Sequence, residues 1–155
     1  MFGVIIISVY NAFNQSSISR MDVATYDMIC VMLNLKELQD KNEKYPNARI
    51  MEVDVEDDRN DWDFGYTEVD IIHNGIPKDV LFNQTGNWYS TSWEIRQNEL
   101  PEAVNNTLNN QYGEYRFDEA EYIEKADGSI YYRIELEKGD VDKVVNIGEN
   151  GTVLS

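Results

Sequence analysis

The chain contains a single cysteine, Cys30, and a single histidine, His73. One cysteine cannot form an intramolecular disulfide, and one cysteine with one histidine cannot complete a zinc site of the Cys/His kind within the chain. A Ser-His-Asp or Cys-His catalytic arrangement would have to use His73, which lies beside the turn Asn74-Gly75 and has no G-x-S-x-G nucleophile motif nearby. We interpret His73 as a turn-flanking surface residue and Cys30 as a small buried hydrophobe.

Basic residues are scarce, with 13 Lys and Arg against 29 Asp and Glu and a net charge of −16. The excess lies in residues 46–155, which hold nine Lys and Arg against twenty-four Asp and Glu. A field of this sign repels the phosphates of nucleic acids and anionic membranes, and it favours cations or basic protein surfaces. Binding to nucleic acid is therefore unexpected, whereas acidity that only keeps the chain soluble stays an alternative.

Long hydrophobic runs are also missing. The longest apolar stretch, residues 2–10, has nine residues and is too short to span a bilayer as a helix. It could be the apolar part of an export signal, although no Lys or Arg precedes it, or it could be a strand or helix that packs on the body. We treat residues 1–20 as a signal-like or tail segment.

What the chain does contain is enough apolar material for one compact body. Its 155 residues are 42% apolar and 12% aromatic, with ten tyrosines, a composition that argues against disorder. From Asp22 the apolar residues recur at three- and four-residue steps, which predicts a helix that ends before Tyr45-Pro46.

A pattern in residues 66–88 returns in residues 131–153: a strand, a Gly-containing turn, a second strand, an Asn/Asp-Gly-type turn and the start of a third strand. We therefore predict two helix-plus-sheet units in residues 21–97 and 98–155. In the second unit, Leu100, Val104 and Leu108 predict a short amphipathic helix. An offset of about 67 positions aligns Tyr45 with Tyr112, a relation expected of an internal repeat.

Several motifs together resemble the PepSY-like proteins, whose fold is similar to the β-lactamase inhibitor protein. They are Tyr-Pro-Asn-Ala at 45–48, Tyr66-x-x-Val69, Phe82-x-x-x-Gly86-Asn87-Trp88, Leu100-Pro101-x-Ala103-Val104 and Asp127-Gly128-x-x-Tyr131-Tyr132. The resemblance implies an α+β fold with two tandem units of helix plus four-stranded antiparallel sheet in two layers. It also implies a periplasmic or secreted protein with no established catalysis, no cofactor and a role in binding or inhibiting other proteins.

A two-layer arrangement covers one sheet face with helices and leaves the other available. Tyr and Trp are enriched at protein interfaces, and an acidic aromatic face suits a partner with a basic patch. The predicted partner-binding residues are Tyr66, Glu68, Asp70, Trp88, Trp93, Tyr131, Arg133 and Glu135, with Glu52 and Asp54 on the same face. The alternative is that the tyrosines form cross-strand pairs that only stiffen the sheet.

The acidic turn in residues 57–63 supports a competing hypothesis, a metal-dependent or carboxylate-based envelope hydrolase. Its weak candidate ligands are Asp57, Asp58, Asp61 and Asp63. Four carboxylates could supply several of the oxygen ligands that calcium needs, but the spacing does not match an EF-hand loop, and we favour a solvated loop. Paired carboxylates for glycoside hydrolysis carry little weight, because among twenty-nine acids some pair will fall at the required distance by chance.

Overall fold

A computed structural model describes residues 44–60 and 62–154. The tail segment 1–20, the helix predicted from Asp22, and Cys30 lie outside these residues. The described strands are β1 (Arg49–Val55), β2 (Thr67–His73), β3 (Ile76–Phe82), β4 (Trp88–Ile95), β5 (Arg116–Lys125), β6 (Ile130–Lys138), β7 (Val141–Gly148) and β8 (Val153–Leu154). Between β4 and β5 lie a 3-10 helix, Gln97–Glu99, and the helix α1 (Glu102–Gln111).

All eight strands belong to one antiparallel sheet, and their order in the sheet is their order in the sequence. Four strands precede α1 and four follow it, as the sequence predicts for the antiparallel units. The two groups share a single sheet because β4 pairs with β5 from Ser90↔Lys125 to Ile95↔Ala120. The first unit's predicted helix lies outside the described residues, so α1 is the one α-helix that they contain.

The strands form where apolar and polar residues alternate. In β2 the buried residues Thr67, Val69 and Ile71 alternate with Glu68 and Asp70, so opposite sheet faces receive opposite chemistry. Strand β3 begins at Ile76, and only two residues separate it from the end of β2 at His73. The reason is the turn Asn74-Gly75, whose φ angles of 53° and 81° form a two-residue hairpin turn that reverses the chain at once.

Helix α1 packs on one face of the sheet through Val104 and Leu108, and Leu100 just before it joins the same cluster. The Thr107 hydroxyl donates a hydrogen bond of 2.7 Å to the carbonyl oxygen of Gly151, in the turn between β7 and β8. Gly151 has φ +83°, and a Cβ there would lie 2.7 Å from the carbonyl oxygen of Ala103. The helix can approach this turn closely only because residue 151 has no side chain.

The buried residues form two clusters on the same face of the sheet. One contains Tyr45, Val69, Ile71, Val80 and Phe82. The other contains Leu100, Val104, Leu108, Ala120, Tyr132, Ile134, Leu136, Val145 and Ile147. The strand register aligns them, since Val69 opposes Val80 in the first half and Ile134 opposes Val145 in the second.

The two halves share irregularities as well as strands. The β1–β2 pairing shifts register between Ile50 and Glu52, and the β5–β6 pairing shifts between Phe117 and Glu119, in each case 67 positions later in the chain. Gly86 and Gly151 have φ angles of 76° and 83° in the corresponding turns before β4 and β8. These shared irregularities support the predicted duplication, which stays a prediction.

The close approach of α1 to Gly151 predicts that a side chain at this position would lower stability. Gly151→Ala should lower the free energy of unfolding by roughly 2 kcal/mol or more, since it adds a backbone clash to the strain of a left-handed φ. Gly139→Ala is the matched control: its φ is +64° and nothing lies within 4 Å of the added Cβ, so only the strain of about 1 kcal/mol should appear. Urea denaturation of both variants measures the difference, and equal losses would contradict the close approach.

Candidate partner-binding face

The sheet face opposite α1 is lined with carboxylates, and we call it the acidic face. Its position follows from the register, because these residues alternate with the buried residues of the two cores. The acidic face contains Glu52, Asp54, Glu68, Asp70, Asp79, Glu94, Glu119, Glu121, Glu135, Glu137 and Asp142. The described helix packs on the other side of the sheet, so its side chains do not cover these carboxylates.

Many of these carboxylates oppose one another directly across neighbouring strands. The directly opposed pairs are Asp54–Glu68, Glu52–Asp70, Asp70–Asp79, Glu94–Glu121, Glu119–Glu135 and Glu137–Asp142. Like charges directly opposite in a sheet are destabilising. The acidic face therefore carries an electrostatic cost that the folding of the sheet does not require.

Burial and this electrostatic repulsion raise the pKa values of three carboxylates on the acidic face. Burial, followed by the charges of Asp79, Asp70, Glu56 and Asp54, raises the pKa of Glu68 to about 7. The pKa of Asp79 is raised by burial and by Asp70 and Glu121, although a hydrogen bond with Ser92 opposes the shift. Burial and the nearby carboxylates, with Glu94 first among them, also raise the pKa of Glu119.

Cationic compensation is confined to one side of the face. The Arg133 guanidinium lies 3.2 Å from a carboxylate oxygen of Glu121 and 3.3 Å from one of Glu135. Among the described residues, no ion pair involves Glu68, Asp70 or Asp79. The carboxylates of β2 and β3 therefore have no ion-pair partner among the described residues, and a cation from outside could pair with them.

The middle of the face has short side chains and an apolar floor. Strand β4 contributes Ser90 and Ser92, which oppose Leu81 and Asp79 of β3. Leu81 and Ile123 lie on this face and are nonetheless buried. At the centre of this face, β4 therefore presents only the short side chains of Ser90 and Ser92.

Aromatic side chains gather at one end of the face. The ring centroids of Trp62 and Tyr66 are 5.8 Å apart, those of Tyr66 and Tyr89 are 5.3 Å apart, and those of Trp62 and Tyr89 are 5.8 Å apart. The Lys125 ammonium lies 5.0 Å from the centroid of Tyr89. Trp62 keeps 69% of its surface exposed, so this aromatic cluster presents a large ring to solvent.

The structure brings together most of the residues predicted for the open face. Glu68 and Asp70 project from β2, and Tyr131, Arg133 and Glu135 project from β6, all on the acidic face. Burial raises the pKa of the Tyr131 phenol, which is half-buried beside Ile123. Tyr66 immediately precedes β2 and belongs to the aromatic cluster.

The prediction that Trp88 and Trp93 lie on the open face is wrong, because both indoles lie on the core side of the sheet. The β3–β4 register is irregular between Leu81 and Phe82, which pairs Trp88 with Phe82 and turns it toward the core. The Trp88 indole nitrogen donates to the Thr91 hydroxyl at 3.0 Å. Trp93 stacks on Tyr122 with centroids 4.2 Å apart.

The ammonium groups of two lysines lie over the rings of these tryptophans in cation–π contacts. The Lys44 ammonium lies 4.1 Å from the Trp88 centroid, and the Lys78 ammonium lies 3.0 Å from the Trp93 centroid. Lys78 is buried, and its desolvation lowers the pKa to about 8 against the opposing charge of Glu124. Both indoles therefore lie on the side of the sheet away from the acidic face.

Sequence reasoning missed Trp62 and Tyr89. Trp62 lies in the loop between β1 and β2, where no periodic pattern assigns a face. Tyr89 takes part in the aromatic cluster through the irregular pairing at Trp88, which depends on the opposite strand. The feature of the sequence that could have indicated the cluster is the tryptophan within an otherwise acidic turn.

The acidic turn shows no metal-binding geometry in the residues described. Asp58 accepts hydrogen bonds from the backbone and side-chain nitrogens of Asn60, both at 2.9 Å, as in a local turn. Asp61 lies outside the described residues. Within 44–60 and 62–154, no group of three or more His, Cys, Asp or Glu side chains could hold a metal ion.

The chain is similar to known proteins in sequence and in fold. Residues 65–154 match the family described as "Putative beta-lactamase-inhibitor-like, PepSY-like". A BLIP-like protein from Bacteroides fragilis NCTC 9343 has 24% identity and a TM-score of 0.61, over 82% of each chain. A DUF2874 family protein from Bacteroides uniformis ATCC 8492 has 16% identity and a TM-score of 0.66, over 81% of this chain and 85% of the other.

A third similar structure carries the name "putative periplasmic proteins" and comes from Bacteroides eggerthii DSM 20697. It has 16% identity and a TM-score of 0.60, over 81% of this chain and 84% of the other. No curated protein matches the sequence. Within the residues that the structure describes, no helix has the length and apolarity needed to cross a membrane.

The raised pKa of Glu68 predicts a pH-dependent effect of Glu68→Gln on stability. The folded pKa of about 7 exceeds the ordinary value of 4.5, so the folded state binds the proton more tightly and the penalty of the charged form grows as pH rises through 7. At pH 8 the variant should be more stable than the parent by about 1 kcal/mol after solvent screening, and at pH 5 the two should be nearly equal.

Urea denaturation at both pH values tests this expectation. Glu102→Gln is the control, because Glu102 is exposed on the first turn of α1, away from the acidic face. A stability difference for Glu68→Gln that does not change between pH 5 and pH 8 would contradict the proposed electrostatic cost.

Proposed function

Since the chain belongs to the PepSY-like, beta-lactamase-inhibitor-like family, we propose that it is an exported, non-catalytic module that binds a basic surface of another protein on its acidic face. The sequence similarity covers residues 65–154, which include all strands of the acidic face except β1. The inhibitor-like description of the family supports a protein partner. The periplasmic description of one structural neighbour supports export.

One observation carries the proposal: the face that α1 leaves uncovered contains six directly opposed carboxylate pairs. A sheet that served only as a scaffold would gain stability from alternating charges at these positions. A basic partner would turn the repulsion into attraction and would lower the raised pKa values of Glu68 and Asp79. Complementary charge of this kind accelerates association and selects partners.

The aromatic cluster gives the same face a second means of binding. Trp and Tyr supply most of the binding energy at many protein interfaces, because they bury large rigid surfaces. Trp62, Tyr66 and Tyr89 lie beside the negative charges, and a partner that carries Lys or Arg next to apolar residues would contact both. The short side chains of Ser90 and Ser92 let a segment of that partner approach β4 closely.

The charge of the face predicts which variants lose the partner. A Glu68→Gln/Asp70→Asn double variant should retain far less of the captured protein from a bacterial periplasmic extract, with affinity reduced about tenfold or more for the purified partner. Binding to the parent chain should weaken as salt is raised.

A control variant that loses the same charge elsewhere distinguishes an effect of the acidic face from an effect of net charge. Asp140→Asn/Glu149→Gln removes two carboxylates from exposed turns at the ends of β7 and should capture as the parent does. Partners should be identified by mass spectrometry and measured by titration calorimetry. Equal capture by both double variants, or partners whose contact surface is acidic, would overturn the proposal.

The exposed indole makes a separate prediction. Trp62→Ala should change the free energy of unfolding by no more than about 0.5 kcal/mol, since 69% of the side chain is already exposed. The same change should weaken partner binding by roughly 2 kcal/mol if Trp62 is an anchor. Trp62→Phe should keep part of the affinity, and a loss of stability with unchanged affinity would show that the cluster serves the fold alone.

A further inference from the structure

Strands β3 and β4 separate at one end of the sheet. Their pairing ends at Asp79↔Ser92, whereas β3 remains paired with β2 as far as Ile76 and β4 remains paired with β5 as far as Ile95. The last residues of both strands therefore diverge while each stays held by its outer neighbour. The result is a wedge-shaped cleft where the two halves of the sheet meet.

The cleft has a volume of about 660 Å³, within the range of small-molecule sites in proteins. Five carboxylates and one guanidinium line it, among them Asp79, Glu94, Glu119 and Glu121. Ile76 and Ile95 contribute apolar walls. The charges come from the acidic face and Ile95 from the core side, so the cleft opens through the edge of the sheet between its two faces.

The residues that line the cleft fit a long basic side chain in two respects. A long basic side chain buries an apolar stem and carries its charge at the tip. The isoleucines suit the stem, and Glu94 and Glu119, which pair with no cation of the described residues, suit the tip. A guanidinium presents several donors in a plane and binds carboxylates in a bidentate manner, which an ammonium cannot do.

The electrostatics of the cleft favour such a ligand. Glu119 is exposed, yet neighbouring carboxylates raise its pKa along with desolvation, so a cation would relieve repulsion there. Arg133 contacts Glu121 through one guanidinium nitrogen at 3.2 Å and reaches Glu135 with the other. Glu94 and Glu119 have no ion pair within the described part of the chain.

We propose that the cleft between β3 and β4 binds one arginine side chain of the protein partner. The inference rests on the proposed function, because the arginine belongs to the partner that docks on the acidic face. It adds a defined pocket to that face and states which residue of the partner enters it. Ser90 and Ser92 lie on β4 between Tyr89 of the aromatic cluster and Glu94 of this pocket.

The pocket can be tested without the partner, by using N-acetyl-arginine-amide as the probe. Titration into the labelled protein should shift the amide signals of residues 93–96 and 119–121 in a saturable manner. N-acetyl-lysine-amide should bind more weakly, and N-acetyl-norleucine-amide should leave these signals unchanged. Shifts that do not saturate, or a lysine probe that binds as tightly, would overturn arginine recognition.

Two matched variants test whether the arginine probe binds in the cleft. Glu94→Gln/Glu119→Gln changes two exposed side chains, so its spectrum should stay dispersed, and its affinity for the arginine probe should fall about tenfold. Asp140→Asn/Glu149→Gln removes the same charge elsewhere and should bind the probe as the parent does. Equal losses in the two variants would indicate attraction by net charge and reject the pocket.

The outcome is distinguishable from that of the proposed function. If the arginine probe binds the cleft while Glu68→Gln/Asp70→Asn leaves partner capture intact, the pocket stands and the wider docking face falls. If partner capture depends on Glu68 and Asp70 but Glu94→Gln/Glu119→Gln neither weakens capture nor alters probe binding, the face stands and the arginine pocket is rejected.

Discussion

The pairing of β4 with β5 is the interaction on which the rest of the structure depends. It extends over six residue pairs, from Ser90↔Lys125 to Ile95↔Ala120, and it makes one sheet from two groups of four strands. Because the register carries through this junction, the apolar residues of both halves fall on one side. The same continuity places the carboxylates of β2 and β3 in line with those of β5 and β6.

The two sides of the sheet then have opposite energetic roles. One side buries Val69, Val80, Ile134 and Val145 at or near zero exposure, and its packing stabilises the fold. The other side holds opposed carboxylates that work against stability. A protein can keep such an arrangement only while its core provides a surplus, and the location of the electrostatic cost indicates where binding is expected.

Local periodicity was enough to predict much of this arrangement. The alternation in Thr67–His73 assigned Glu68 and Asp70 to one face, and the same reasoning assigned Arg133 and Glu135 in β6. The spacing of Leu100, Val104 and Leu108 indicated the helix that follows β4. The PepSY-like resemblance is confirmed by the family match over residues 65–154.

What periodicity could not supply depends on pairing between distant residues. The irregular register beside Phe82 reverses the side on which Trp88 lies, and only the partner strand determines that irregularity. The separation of β3 from β4 is likewise set by their outer neighbours. Trp62 gains its role from Tyr66 and Tyr89, which a loop sequence does not reveal.

The strictly sequential strand order also shapes how the chain reaches this structure. Every strand pairs with its neighbour in the sequence, so hairpins such as Thr67–Phe82 can close over a two-residue turn with little loss of chain entropy. The junction of β4 with β5 is the exception, because residues 96–115 must first be drawn into a loop. We expect early, independent zippering within each half, and a slower step in which the halves unite along that seam.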